Sequence, residues 1–274
     1  MPTVEQNLQT WGQDYDWTKQ GDEWSRWWGD AETQWFGSIL PRIHPFASVP
    51  TILEIAPGFG RWTDYLRRQC QSLIVVDLAE NCIAACRRRF ASDSHITYHI
   101  NDGRSLEMIP DNSVNFVFSF DSLVHADADV IGGYLSQLAT KLSPNGVGFI
   151  HHSNAGAYRR AFSRMKRIPG FLGPAMTRIG YNDIDRWRSF TMTARVFEQC
   201  CEAAALRCIG QELVNWGTRR MIDCFSLFTR ADSVWARPNR VLENPNFMKE
   251  AAFIKRWAHV YSSAGFVGSA RPRS

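Results

Sequence analysis

Thr51-Ile-Leu-Glu-Ile-Ala-Pro-Gly-Phe-Gly-Arg-Trp-Thr63 decides how this chain is read. Ile52, Leu53 and Ile55 form the short apolar run that a buried parallel strand uses. Pro57, Gly58 and Gly60 interrupt it, and an amphipathic segment follows from Trp62 to Cys70. Strand, glycine turn and helix, in that order, let backbone N–H groups and a helix start approach a ligand closely. Asp77 closes the next apolar run, Leu73-Ile-Val-Val-Asp77. An acid about 20 residues beyond such a turn is where a ribose hydroxyl pair is held. A dinucleotide fingerprint would need a third glycine where Thr63 stands, so that reading fails on Thr63 and on Ala56-Pro57.

Outward from this stretch, strands and helices alternate. The pattern predicts strands over 51–56, 72–77, 95–100, 114–120 and 146–152, with helices over 61–70, 79–91 and 127–142. Pro144-Asn145-Gly146 reads as a turn into the fifth strand. Thr193 is placed to cap a helix over 194–204. Two strands, 206–214 and 221–229, follow as a hairpin around Trp216-Gly217. The last helix, 245–262, puts Phe247, Ala251, Ile254, Ala258 and Tyr261 on one face, for packing on its own domain, a homodimer contact or a lid. Such alternation implies an α/β fold, a Rossmann-like parallel sheet with helices on both faces.

This divides the chain into an aromatic helical lid (1–48), a central domain (49–230) and a C-terminal helix and tail (231–274). Within the central domain, 153–190 reads as an acceptor-side insertion, rich in Gly, Pro and Arg. The N-terminal part carries Trp11, Tyr15, Trp17, Trp24, Trp27, Trp28, Trp35 and Phe36 with no strand pattern. Most of these rings are expected to pack onto the core, and the rest to cover the cleft and stack on a sugar face.

The 274 residues are 45% hydrophobic, enough for a sizeable core. The net charge of +4 is too mild to argue for nucleic acid, so none is expected as a partner. Cys70, Cys82, Cys86, Cys200, Cys201, Cys208 and Cys224 show no zinc-type spacing and read as buried free thiols. The start, Met-Pro-Thr-Val-Glu, has no secretory pattern, and no run is long enough for a bilayer. A cytoplasmic protein without a membrane partner is the expectation.

The glycine turn resembles the first motif of class I S-adenosylmethionine-dependent methyltransferases, acid-x-Gly-x-Gly-x-Gly. Glu54, Ala56, Gly58 and Gly60 stand at its places, with Ala56 replacing the first glycine. Asn101-Asp-Gly103 ends the third strand where the family's acid meets the adenine amino group, and Asp102 holds that place. Phe116-Val-Phe-Ser-Phe-Asp121 resembles the strand whose end contacts the methionine part of the cofactor, and Leu142-Ser-Pro-Asn-Gly146 the connection into the fifth strand. The resemblance implies a seven-stranded sheet with its last strand antiparallel. It also implies S-adenosylmethionine held by Glu54, Ala56, Gly58, Gly60, Asp77, Leu78, Asp102, Gly103 and Phe120. Asp121-Ser-Leu-Val-His125 and His151-His-Ser-Asn154 are similar to segments of bacterial methyltransferases acting on sugar hydroxyls, including those of polysaccharides.

Methyl transfer from a sulfonium is an in-line displacement, and alignment alone can supply roughly 7–11 kcal/mol. A hydroxyl acceptor also needs a base, worth about 100- to 10,000-fold. His152 is the expected base and His151 the alternative, because strand alternation sends the two to opposite faces. A rate rising through the ordinary histidine pKa would accompany either. Asp121 is expected to orient a histidine or to join a divalent ion, and His125 and Asn154 to contact the acceptor. Magnesium serves some sugar methyltransferases, but no ligand pattern supports it here, so no metal ligand is assigned. A methyltransferase for a small non-sugar metabolite, and a cofactor-binding scaffold without catalysis, are the competing functions.

Overall fold

A computed structural model describes residues 3–165 and 187–261. Its centre is a sheet of strands β1 (Val49–Ile55), β2 (Cys70–Asp77), β3 (Ile96–Ile100), β4 (Val114–Ser119), β5 (Leu142–Ser153), β6 (Leu206–Val214), β7 (Asp223–Arg230) and β8 (Val241–Asn244). They lie in the order β3-β2-β1-β4-β5-β7-β6-β8. The first five run parallel, β7 lies antiparallel to both β5 and β6, and β8 is parallel to β6. The sheet thus has eight strands where seven were expected. Val241-Leu-Glu-Asn244 is too short to show alternation, and it becomes a strand only by pairing with Gln211–Val214.

The helices are α1 (Val4–Gln9), α2 (Ala31–Gln34), α3 (Leu40–Ile43), α4 (Thr63–Leu66), α5 (Glu80–Arg89), α6 (Ala128–Lys141), α7 (Arg159–Met165), α8 (Ala194–Ala203) and α9 (Phe247–Tyr261). The segment expected as helix over 61–70 shrinks to the single turn α4, because Cys70 already opens β2. The expected turn at Pro144-Asn145-Gly146 lies inside β5. Val114 pairs with Leu142 but Phe116 pairs with Val147, so the irregularity absorbs it.

Strand alternation sorts the core onto two faces. Ile52, Phe116, Phe118, Phe149 and Trp216 point to one, where Trp28, Trp35 and Phe247 of the terminal segments cover them. Leu53, Val117, Ile150 and Phe228 point to the other, beneath Ile131 and Leu135 of α6 and Phe197 of α8. Burial of each such side chain contributes roughly 1.5–3 kcal/mol. α9 packs on its own domain: Phe247, Ala251, Ile254 and Ala258 are buried, and Ile254 sits where a side chain on Gly37 would stand. Thr193 caps α8 through the Val196 N–H. Most of the expected insertion after β5 lies outside the described residues.

Candidate functional site

A cavity of about 700 Å³ opens at the carboxyl ends of β1, β2 and β4. At one end the backbone turns through Ala56 and Gly58, each with φ of 58°. That region favours glycine, so Ala56 holds a strained position next to the cavity. The Ser122 hydroxyl donates to the Ala56 carbonyl at 2.7 Å and ties the turn to the loop after β4. The Asp77 carboxylate accepts from the Gly58 N–H at 3.2 Å and the Ala79 N–H at 2.9 Å. Burial pushes this acid up to about 6, against the pull of those two N–H groups. Leu78, Gly103 and Tyr134 complete this end. Gly103 has φ of 77°, and a Cβ there would meet Val4 of α1 at 2.9 Å.

The other end is aromatic. Trp11, Trp24, Trp27, Trp62 and Trp216 line it together with Phe120, Asp121 and His125. The N-terminal segment forms a roof. Trp17 stacks flat on Phe59 with ring centroids 4.5 Å apart, Asn81 donates to the Trp11 carbonyl, and Asn7 donates to the His125 carbonyl. Asp121 sits at φ 66°, just beyond β4. Its carboxylate accepts from the Arg61 guanidinium at 2.9 Å, and its backbone N–H donates to His151 Nδ1 at 3.1 Å.

Hydrogen bonding separates the three histidines. His152 is fully buried on the α8 face, stacked on Phe197 at 4.4 Å. Its Nδ1 lies 2.9 Å from the Ser153 carbonyl, which only an N–H can satisfy. Nε2 therefore accepts the Ser226 hydroxyl, 2.8 Å away, and no lone pair is left. Burial pushes this imidazole down to about 3. His151 lies on the opposite face behind Phe120, and its Nδ1 lone pair is taken by the Asp121 N–H. That tautomer aims Nε2–H at buried Asp223, 3.2 Å away but poorly aligned. His125 differs. Nδ1–H donates to the Trp187 carbonyl at 2.9 Å, and no described hydrogen bond uses the Nε2 lone pair. Burial, with the Arg188 charge nearby, pushes His125 down to about 4, so it is neutral at ordinary pH.

Of the expected site residues, Ala56, Gly58, Asp77, Leu78, Gly103, Phe120, Asp121 and His125 line the cavity. Six do not. His152 is corrected first: alternation places it beneath α8, a neighbour that β5 alone does not reveal. His151 stands one layer behind the cavity wall. Asn154 is structural, donating to the Met221 carbonyl and accepting from the Ala194 N–H. Glu54 is buried under the turn and accepts the Thr63 hydroxyl at 2.6 Å. Gly60 makes room for helix packing, since a Cβ there would lie 2.6 Å from the Phe90 ring. Asp102 is exposed and caps the Arg104 and Ser105 N–H groups, which, with Ser105 first, hold its carboxyl below the usual range. The Asp121 carboxylate pairs with Arg61 and orients no histidine. Only its backbone N–H touches one.

Sequence reasoning missed Arg61, Trp62, Arg188 and Trp216. Arg61 and Trp62 directly follow the glycine turn and so stood within the decisive stretch. Arg188 pairs with Asp223 through two contacts of 2.8 and 2.7 Å, and both side chains are buried. Burial would raise the Asp223 carboxyl, but the Arg188 guanidinium holds it well below the usual carboxylate range. No local signal marks that pair. Among the described residues no His/Cys/Asp/Glu cluster could hold a metal ion, and no helix is long and apolar enough to cross a membrane.

Residues 52–146 match the family model described as a methyltransferase domain. They form a methyltransferase domain. The ribosomal RNA small subunit methyltransferase A of Coxiella burnetii is 34% identical over 64 residues, 23% of this chain and 24% of that protein. Phosphoethanolamine N-methyltransferase 1 of Triticum aestivum is 30% identical over 114 residues, 40% of this chain and 23% of that protein. The chain thus spans about a quarter of the length of the curated relatives it matches. Among solved structures, an S-adenosylmethionine-dependent methyltransferase from Mesorhizobium loti superposes with a TM-score of 0.53 at 16% identity, over 72% of this chain and 98% of that one. The DhpI complex with S-adenosylhomocysteine gives 0.51 at 15% identity, over 84% and 97%. These likenesses show a shared fold.

Proposed function

We propose that the protein is an S-adenosylmethionine-dependent O-methyltransferase whose acceptor is a hydroxyl of a sugar or oligosaccharide. The observation that carries this reading is one cavity with two unlike ends, a glycine turn with a buried acid and an indole-lined chamber holding Asp121 and His125. The first end fits the cofactor. Gly58 and Gly103 let backbone come close, and Asp77, a buried carboxylate with spare lone pairs, is placed for the ribose hydroxyls. When bound, S-adenosylmethionine supplies an electrophilic methyl group.

The chamber fits a sugar, whose C–H faces stack on indole rings while its hydroxyls meet carboxylate and imidazole. His125 is the base this geometry supports. The Trp187 carbonyl fixes its tautomer and leaves Nε2 able to accept a hydroxyl proton. Asp121, held by Arg61, is placed to accept a second acceptor hydroxyl. The roof excludes water from this space. Magnesium has no part in this reading.

A second reading has its own observation. The rings of Trp11, Tyr15, Trp17 and Trp24 cluster with centroids 4.9–6.3 Å apart. Aromatic clusters also hold ammonium groups, so a small amine acceptor belongs in the same test. Methyl-labelled S-adenosylmethionine should be incubated with sugars, nucleotide sugars, oligosaccharides, amines and RNA, with mass spectrometry placing the label. Label on a sugar oxygen is expected. Label on nitrogen or RNA alone overturns the acceptor class, and cofactor binding with no labelled product favours a non-catalytic scaffold.

A further inference from the structure

Arg61 belongs to the decisive stretch yet has no part in the cofactor end. Its side chain is 4% exposed. One terminal nitrogen donates to the hydroxyl of fully buried Ser25 at 3.1 Å, and the other to Asp121 at 2.9 Å. The guanidinium lies over the Trp62 ring at 4.4 Å and the Trp24 ring at 5.2 Å. Trp24 in turn touches Trp11, Tyr15 and Trp17 of the roof. One planar cation therefore joins the glycine turn, the roof and the acid after β4.

We infer that Arg61 is a positioning residue that latches the aromatic roof onto Asp121, so that covering the cofactor and aiming the acid at the acceptor are one event. The inference rests on the methyltransferase reading for its use of Asp121 and the cofactor. Its physical content stands on the contacts alone. With the roof away, Arg61 loses Ser25 and the Trp24 face and is held only by Trp62 and Asp121. With Arg61 absent, Asp121 keeps a carboxylate in a nearly closed site without its cation, a strongly unfavourable arrangement. A lysine cannot replace it, because an ammonium lacks the planar fork that reaches two partners while stacked between two rings. The roof also carries Trp11, which meets the His125 ring at 5.4 Å. Latching thus sets both polar groups of the chamber together.

The test uses the full chain with S-adenosylhomocysteine as the probe. Arg61→Lys, Asp121→Asn, their double variant and Ser25→Ala are compared with wild type. Hydrogen exchange of roof amides over 3–27 and stopped-flow release of the probe, followed by tryptophan fluorescence, are the two readouts. Arg61→Lys and Asp121→Asn should each speed roof exchange and probe release by about tenfold or more, with β1 and β4 still protected. The double variant should go no further than either single change. Ser25→Ala should give a smaller effect in the same direction, and it decides the matter should Arg61→Lys fail to fold. Roof exchange within twofold of wild type in a folded Arg61→Lys, or single effects that multiply in the double variant, overturns the latch. If wild type does not bind the probe, the methyltransferase reading fails, while roof exchange still decides the latch.

Discussion

At the end of the cavity proposed for the cofactor, Gly58, Asp77 and Gly103 offer backbone and one carboxylate from the tips of neighbouring strands. At the end proposed for the acceptor, Trp11, Trp24 and Trp27 arrive from the N-terminal segment, Trp216 from the hairpin after β6, and Asp121 and His125 from the loop after β4. The first end is made of local geometry, in which a turn and an acid 19 positions later already share a hydrogen bond. The second is made of side chains that meet only because the chain folds over itself. One end can therefore keep its form while the acceptor end changes with every substitution in the roof.

The sharpest way to break this contrast is at His125. His125→Ala should leave S-adenosylhomocysteine affinity unchanged by calorimetry and lower single-turnover methyl transfer by about 100-fold or more. Because its folded pKa is lowered to about 4, the imidazole is neutral above that value. With the cofactor saturating, the wild-type rate should therefore be level from about pH 7 to 8, above the value of about 6 to which burial pushes Asp77. A limb still rising above pH 7 would point to another base.

His152→Ala tests the same contrast from the other side of β5. It removes a ring stacked on Phe197 and leaves the Ser226 hydroxyl without its acceptor. A loss of roughly 2–4 kcal/mol of stability by urea unfolding is expected, with the methyl-transfer rate of the folded fraction unchanged. A catalytic defect at full stability would reinstate His152 as a site residue. At the cofactor end, Asp77→Ala should weaken S-adenosylhomocysteine binding by roughly 1–3 kcal/mol through unmet hydrogen bonds. Unchanged affinity would remove Asp77 from the cofactor site.

The strand-helix alternation from β1 to β5 was legible because apolar runs and turn residues are local signals. So was the hairpin of β6 and β7, whose ends bracket Trp216-Gly217. The glycine motif pointed to a turn that lines the cavity, but its individual residues differ in what they touch. Gly58 faces the cavity while Gly60 yields to Phe90, a division that depends on where α5 docks. The two adjacent histidines of β5 were rightly sent to opposite faces. Which face met the cavity depended on α8, more than 40 positions away, and neither ring kept a free lone pair. Arg61 could be noticed as a cation after a glycine turn, but Ser25 and Asp121 give it meaning only in three dimensions.

Glu54 gives the smallest effect and isolates the foundation of the cofactor end. It stands at the acid place of the motif yet lies under the turn, with one carboxylate oxygen on the Thr63 hydroxyl and the other unpartnered. Burial pushes it up to about 8 from an ordinary value of 4.5, with Thr63 opposing and Asp77 adding to the rise. The folded state therefore keeps a proton that the unfolded chain releases. The stability from this proton is full below about 4.5 and is lost as pH rises through about 8. Most other groups move elsewhere, and the buried cysteines, whose thiols burial pushes up, cost stability only as pH nears their ordinary value of about 8.5. His125 and His152, neutral when folded, lose stability only as pH falls below about 6.5, and Asp77 acts below about 6. The window from pH 6.5 to 7.5 thus reports mainly on Glu54, and wild type should lose about 1 kcal/mol across it. Glu54→Gln keeps an acceptor for Thr63 and has no proton to release, so its urea midpoint should stay level over that window. An equal decline in both proteins would show that Glu54 is ionised in the fold and that another group carries the pH dependence.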